Sequence, residues 1–388
     1  MDYIKQKIKV GHLIDFVGTS NTWFKVLMEN LNTENLILPY TTEKGFEIEK
    51  EGIKLITTKK LIKIENQRFS KIINRINTYY IHFQFKRIIR KNNIQVLHAH
   101  FAHIGWESIR LKKTLKIPLI TSYYGYDYQS VPHKYPVWNY RYKELFNSAD
   151  KIVCEGKNGP KILTKMGCDP KKIQVLKLGI QFDKIQFKQR VKKRGYLNLV
   201  QIANLVEKKG HKFTLLAFSK ALESCPNMHL TIVGNGAECL KKEIHRIIID
   251  HNLTKHVTQI NRIDYSKLHT ILGDYEVFIH PSCYSKEMDC EGGAPIVLLD
   301  AQATGLPVIS TDHCDIPDEV IHNVTGKIAK EKNIEQLAEY ISFFYDMSQE
   351  DYNSFSFAAR KHIKTNYNII KNGELFSSLY KNILFESS

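Results

Sequence analysis

The chain has 388 residues, 43% hydrophobic and 25% charged, which is enough for two globular cores and ordinary for a folded protein. Seven cysteines (154, 168, 225, 239, 283, 290, 314) without a Cys-x-x-Cys pair argue against a disulfide framework or structural zinc and fit a reducing cytoplasm. The formal net charge of +16 belongs to the first half, where residues 1–188 carry 33 Lys and Arg against 16 Asp and Glu, and the remainder 23 against 24; an anionic membrane surface or nucleic acid would be a partner of that half alone.

The opening segment, MDYIKQKIKVGHLIDFVG, lacks the apolar run of a signal peptide, and no segment approaches the roughly twenty apolar residues of a spanning helix. Residues 9–17 (KVGHLIDFV) read as a buried strand, then a Gly/Thr/Ser/Asn loop and a helix from near Trp23. No Gly-x-Gly-x-x-Gly and no Gly-Lys-Ser/Thr occurs, which weighs against dinucleotide and P-loop sites. Residues 59–91 hold ten Lys and Arg and one acid, Glu65, interleaved with Ile, Phe and Tyr. This is the pattern of one or two basic amphipathic helices. It fits a solvated face on a core helix and docking on anionic lipid headgroups about equally.

A strand at 94–98 runs into His98-Ala99-His100-Phe101-Ala102-His103. His98 and His100 share a strand face, His103 lies past the turn, and no acid stands at matching spacing, so a metal site is the weaker reading. Histidines at the carboxyl end of a strand are expected to face a substrate cleft. Further strands are expected at 117–123, 149–154 and 171–178, and their alternation with helices predicts a parallel sheet. Residues 184–195 (KIQFKQRVKKRG) lack apolar periodicity and read as a linker.

The pattern restarts with strands at 197–202, 229–233, 257–260 and 277–279, a loop at 204–211 and a turn at 234–236. The stretch 278–311 organises this half: a strand, three acids (Glu287, Asp289, Glu291), a Gly292-Gly293 pair opening a helix with Pro295 in its first turn, and Gly305-Leu306-Pro307 closing it. Bare amides and the dipole at such a helix start form an anion site, and acids beside it can bind sugar hydroxyls. Together they suggest a nucleotide-sugar. The tail, 346–384, reads as helical, with Phe376, Leu379, Tyr380 and Ile383 on one face.

HAHF (98–101), YYGYD (123–127), NLVEKKG (204–210), IVGNG (232–236), HPS (280–282), DCEGGAPIVLLDAQATGLPVIST (289–311) and IPDEVIHNVTG (316–326) carry a resemblance over most of the chain. In this order they resemble the GT-B glycosyltransferases of the GT4 type, which retain anomeric configuration, and especially the branch that builds colanic-acid-like exopolysaccharide, capsule or lipopolysaccharide. The resemblance implies an α/β GT-B fold with two Rossmann-like domains facing across a cleft. An acceptor-binding domain would span 1–183, a nucleotide-sugar-binding domain 196–365, and a C-terminal helix over 366–388 would cross back to the first. It implies a UDP- or GDP-linked donor as substrate, no cofactor and no metal, a lipid-linked glycan acceptor, and no nucleic acid. The expected location is cytoplasmic, at the inner face of the membrane, held there by the basic first domain.

By the same resemblance Lys209 contacts the donor diphosphate, Glu291 the donor sugar and Asp300 the ribose hydroxyls. Asn204, Gly234, Arg262, Gly292, Gly293, Ala294, Pro295 and Ile296 surround the donor, and His100, Tyr124 and His98 orient a sugar or acceptor hydroxyl. Three positions depart from the pattern. Asp300 replaces a Glu, with eight rather than seven residues after Glu291. Asn204 stands where many members have a second phosphate-binding arginine, and Tyr124 where many have histidine. These departures motivate an alternative, a non-catalytic GT-B-like scaffolding subunit.

Overall fold

A computed structural model describes residues 7–18, 21–43, 46–48, 50–59, 70–293 and 295–386. It divides into two compact units, Met1–Leu178 with Ile369–Ser388, and Gly179–Asn368.

The first unit is built on seven parallel strands: β1 (Lys9–Val17), β2 (Glu34–Thr42), β3 (Ile53–Leu55), β4 (Val96–His100), β5 (Leu119–Tyr123), β6 (Lys151–Cys154) and β7 (Ile173–Val175), in the order β3-β2-β1-β4-β5-β6-β7. β4 and β5 are buried at every position, as a parallel sheet covered on both faces requires. The strand order reverses between β1 and β4, and ligands of such sheets bind outside the carboxyl ends at that point. The helix Ile369–Glu386 belongs to this unit and buries Phe376, Leu379, Tyr380 and Ile383 against Val10, Ile14 and Val96.

The helix Ser70–Lys91 has two faces. Ile81, Phe85 and Ile89 are buried, whereas Ile72 (62% exposed), Ile76, Tyr79 and Phe83 (56%) form an outward stripe at 4-3-4 spacing. Residues 60–69 of the basic stretch lie outside the described residues.

The second unit carries β8 (Leu197–Ile202), β9 (Met228–Val233), β10 (Val257–Ile260), β11 (Val277–His280), β12 (Val308–Thr311) and β13 (Gly326–Ala329), parallel, in the order β10-β9-β8-β11-β12-β13. Its reversal lies between β8 and β11. The stretch 184–195 is not a free linker. Ile185 is buried with Phe182, Leu299 and Ile363. The buried Arg190 guanidinium donates to the carbonyls of Lys188, Leu272, Tyr275 and Thr304. Lys192 donates to the carbonyls of Tyr196 and Tyr345. Main-chain acceptors satisfy these cations, so their polarity does not hold the segment in solvent.

Candidate active site

In the second unit the loops after β8 and β11 meet. Gly210, at φ +69°, ends the Glu207–Lys209 turn and passes so close to Pro281 that a Cβ there would lie 2.0 Å from its carbonyl oxygen. This approach brings Lys209 Nζ to 2.7 Å from Glu291 Oε2. The other carboxylate oxygen accepts from Ser282 Oγ at 2.8 Å and faces His280 Nε2 at 3.7 Å. Lys208 Nζ pairs with Asp289 at 3.1 Å and donates to the Cys290 carbonyl at 2.9 Å. Two of the three loop acids are thus neutralised by lysines, which is the opposite of a metal-ligating cluster. Burial pushes the Glu291 carboxyl up, but Lys209, with His280 and Lys208 adding, holds it well below the usual carboxylate range. The same burial keeps His280 neutral by lowering it.

Gly292 sits at φ +81°, a conformation that favours glycine. Pro295 occupies the N-cap of the helix Ile296–Ala303 rather than its first turn, because its ψ of 122° is extended. The amides of that helix start beside Glu291 supply the partial positive charge expected of an anion site. Ala294 lies outside the described residues.

Asp300 is buried, and its carboxylate is held by His269 Nε2 at 2.8 Å and Tyr265 Oη at 3.3 Å. Asn204 and Arg262 are exposed. A Cβ at Gly234, after β9, would lie 1.9 Å from the Ala203 carbonyl oxygen, so only glycine allows this approach. All of these stand past the carboxyl ends of β8, β9, β10 or in the segments around β11.

The first unit places His100 and Tyr124 together but not as expected. His98 and His100 are fully buried rather than facing a cleft, because Tyr380 and Phe376 pack on His98, and Phe24 and Trp23 on His100. Only Tyr124 is partly exposed. His103 lies on the following helix, Ala102–Leu115.

A third histidine joins them. His12 is the β1 register partner of His98, and its ring nitrogen comes within reach of both others. The hydrogen bonds fix the protons along this chain. Asn35 Nδ2 donates to the Thr33 carbonyl, so its Oδ1 accepts from His12 Nε2 at 3.1 Å. Burial lowers His12 to about 4, leaving Nδ1 an acceptor for His100 Nε2 at 3.1 Å. Burial also keeps His100 neutral, so its Nδ1 accepts the Tyr124 hydroxyl proton at 2.7 Å. His98 bonds Tyr380 and Ser122 at 2.8 and 2.7 Å. The six ring nitrogens thus need no cation to be satisfied, save that His100 and His12 share one bond. Tyr124 is left with its proton turned inward, and with Ser122 also bonding its oxygen one lone pair remains. Beneath it, Asp127 accepts from the Tyr124 and Ala102 amides, both at 2.9 Å, and burial raises it to about 6.

Sequence reasoning missed His12, Asn35, Lys208, Ser282, His269 and Tyr265. His12 was legible as the one imidazole in an otherwise apolar strand, and Tyr265 and His269 as a pair one helical turn apart. Asn35 acquires meaning only through its neighbour strand β1, and Lys208 and Ser282 only through contacts with the loop after β11.

Residues 182–362 match the family described as Glycosyl transferases group 1, and residues 47–184 match Glycosyltransferase Family 4. The chain is 28% identical over 271 residues to AmsK of Erwinia amylovora, an amylovoran biosynthesis glycosyltransferase, covering 69% of this chain and 65% of AmsK. It is 27% identical over 289 residues to WcaL of Escherichia coli K12, named for colanic acid biosynthesis, covering 72% and 69%. These alignments span about two thirds of each relative. The structure of Anabaena HepE with UDP superposes with a TM-score of 0.75 at 11% identity, over 97% of this chain and all of that one, which speaks to fold alone. The two matched segments run on from one another over residues 47–362, and the chain therefore belongs to the GT-B glycosyltransferases of the group 1 and Family 4 type.

Proposed function

We propose that the protein is a retaining glycosyltransferase that moves a sugar from a UDP- or GDP-linked donor onto a lipid-linked glycan in exopolysaccharide, capsule or lipopolysaccharide assembly. The carrying observation is the largely buried Lys209–Glu291 pair, 2.7 Å apart just before the start of a helix. Departure of a nucleoside diphosphate puts negative charge on its phosphates, and catalysis is largely stabilisation of that charge by groups already in place. Lys209 and the amides of Gly293 and Ile296 receive the diphosphate, Glu291 holds a donor-sugar hydroxyl, and Asp300 reaches the ribose. The reaction runs without a bound metal, since a lysine and a helix start carry the neutralising role. Tyr124 accepts a hydrogen bond from an acceptor hydroxyl and orients it, its own proton being held by His100.

AmsK and WcaL support exopolysaccharide as the product class. The stripe Ile72, Ile76, Tyr79, Phe83 beside Arg75, Arg87 and Arg90 supports docking on an anionic bilayer face. A panel of UDP- and GDP-sugars, read by NMR for product anomer with and without chelator, tests the reading. A single donor giving retained configuration in chelator is expected; no donor binding by calorimetry would favour the scaffold alternative. Phe83→Ser with Ile76→Ser is expected to release the protein from anionic vesicles in flotation and leave transfer to a soluble acceptor intact.

A further inference from the structure

All three tryptophans of the chain, Trp23, Trp106 and Trp138, belong to one row of partly exposed rings on the first unit. Between ring centroids Trp23 lies 4.8 Å from Tyr124, and Tyr124 4.9 Å from Phe101. His103 follows Phe101 at 5.9 Å, Trp138 follows His103 at 6.5 Å, and Trp106 follows Trp138 at 5.7 Å. The rings come from segments past the carboxyl ends of β1, β4 and β5: the helix Thr22–Glu29, Phe101 with the helix Ala102–Leu115, Tyr124, and the helix Val137–Ser148. Fully buried Phe24 and Tyr142 pack behind Trp23 and Trp138 at 5.6 and 5.5 Å, so the row has a fixed inner side. Phe101 is held at φ +76° and ψ 143°, close to a region that glycine alone adopts readily, and its ring stands in the row rather than in the core.

The row ends on a cation. The Arg141 guanidinium carbon stands 4.4 Å from the Trp106 ring centroid and 4.6 Å from that of Trp138, so two indoles hold it. Among the described residues this partly exposed guanidinium makes no hydrogen bond and no ion pair. The carboxylate placed to pair with it along the helix, Glu144 three positions on, instead accepts from Trp106 Nε1 at 2.8 Å. Glu107 feels the Arg141 charge without a bond to it. A fork of N–H donors, held in place and unpaired, matches a carboxylate or a phosphate. Midway along the row, His103 Nε2 lies 3.8 Å from Asp15 Oδ2, which puts polar atoms at its margin.

We propose that this row is the track on which an acidic oligosaccharide acceptor lies, its sugars stacked on the aromatic rings and an anionic group, carboxylate or phosphate, held by Arg141. A pyranose presents a face of C–H groups and a rim of hydroxyls. Rings packed on one side and wet on the other match that face, and His103 with Asp15 matches the rim. Successive ring planes turn by 31° to 82°, which suits a chain whose sugar planes also turn at each linkage. The excess of Lys and Arg over residues 1–188 favours an anionic ligand of this unit. Placing the reacting hydroxyl at Tyr124 rests on the proposed transfer reading; the track and its anionic end do not.

The full chain labelled with 5-fluorotryptophan reports on the row alone, through fluorine resonances assigned with Trp23→Phe, Trp106→Phe and Trp138→Phe. The probes are a glucuronate-containing tetrasaccharide, the same glycan with its carboxyls reduced to alcohols, and that neutral glycan carrying a reducing-end diphosphate. The acidic glycan is expected to shift all three resonances, and carboxyl reduction to raise its Kd about tenfold, the loss of one charge-assisted contact. Whichever anionic glycan binds more tightly names the source of the charge. Arg141→Gln is expected to bring the three Kd values within about twofold of one another, and Arg141→Lys, which keeps the charge but not the fork, to recover only part of the preference. The reduced glycan reads the charge effect on the unaltered protein, so misfolding of a variant does not imitate it. Neutral and both anionic glycans binding the unaltered protein equally overturns the role of Arg141, and tryptophans that no glycan moves overturn the track, whether or not nucleotide-sugars bind by calorimetry. Tryptophans shifted by glycan in a protein that binds no UDP- or GDP-sugar overturn the transfer reading instead.

Discussion

At the reversal point of the first sheet, between β1 and β4, stand His12, His98 and His100. At that of the second, between β8 and β11, stand Lys209, His280 and the loop that carries Glu291. Topology makes a site at both places, and the residues give them opposite character. The first cluster is neutral: burial strips every imidazole of its charge and the hydrogen bonds end on a tyrosine hydroxyl. The second keeps its charges by pairing Glu291 with Lys209 and Asp289 with Lys208. A neutral chain of donors and acceptors suits sugar hydroxyls, whereas a lysine at a helix start suits a diphosphate. The fold supplies two equivalent positions, and side-chain chemistry divides the labour.

The largest effect is expected from breaking the charged side. Lys209→Ala removes the cation aimed at the leaving phosphates, and losing one such group costs about 10²–10³ in turnover. It also leaves Glu291, 6% exposed, without its cation, and an unpaired buried charge costs about 3–5 kcal/mol. The double variant Lys209→Ala with Glu291→Ala separates these contributions. Stability by denaturant unfolding is expected to return toward the parent, while transfer stays lost. Transfer that recovers along with stability would make the pair structural.

A smaller effect, and one that reports on the neutral side, comes from acid. His12, His82, His98 and His100 all have folded-state values depressed by burial. Below the unfolded value of 6.5 the unfolded chain takes up protons that the folded chain does not, so stability falls as pH drops from there toward about 4. His12 alone contributes about 3 kcal/mol over that window at full depression, partly offset by Asp127, whose raised value favours the folded state on acidification. In the second unit, His211 and His280 act in the same direction but His313 is raised and is stabilising below 6.5. The three tryptophans, Trp23, Trp106 and Trp138, all belong to the first unit. Their fluorescence is expected to show the first unit losing denaturant resistance between pH 7.5 and about 5 more than far-UV dichroism shows for the whole chain.

Much of this division was legible in the sequence, and what was not follows a pattern. The strands were visible because parallel strands buried on both faces are apolar runs, and the stretch 289–311 announced both its helix start and its acids. The charged side was half legible: Glu291 and Lys209 came from motifs, but Lys208 and Ser282 matter only because Gly210 allows the two loops to touch. The neutral side was legible for His98 and His100; His12 showed only as an imidazole within a strand, and its role depends on strand register across 86 positions. Arg190 and Lys192 misled for the same reason, since their acceptors are carbonyls far along the chain. Local pattern reports the element; contacts between distant loops decide what a polar residue does.

The smallest expected effect tests where the two sides part. The hydrogen bonds running from Asn35 through His12 and His100 make Tyr124 a donor inward, so toward substrate it acts through its remaining lone pair. Tyr124→Phe removes that acceptor and leaves the buried Nδ1 of His100 without its partner, a loss of about 1–3 kcal/mol. Most of that falls on stability of the first unit, and the remainder is expected as a rise of several-fold in the KM for acceptor. Donor affinity by calorimetry is expected to stay within twofold, roughly the 0.4 kcal/mol at which such differences become hard to interpret. Tyr124→His, which restores the residue many GT4-type members carry before Gly125, keeps an acceptor nitrogen but shortens its reach. It is expected to recover part of the acceptor KM and none of the stability. If Tyr124→Phe instead weakens donor binding and spares the acceptor KM, the neutral chain serves the nucleotide-sugar, and the assignment of hydroxyl recognition to one sheet and diphosphate recognition to the other fails.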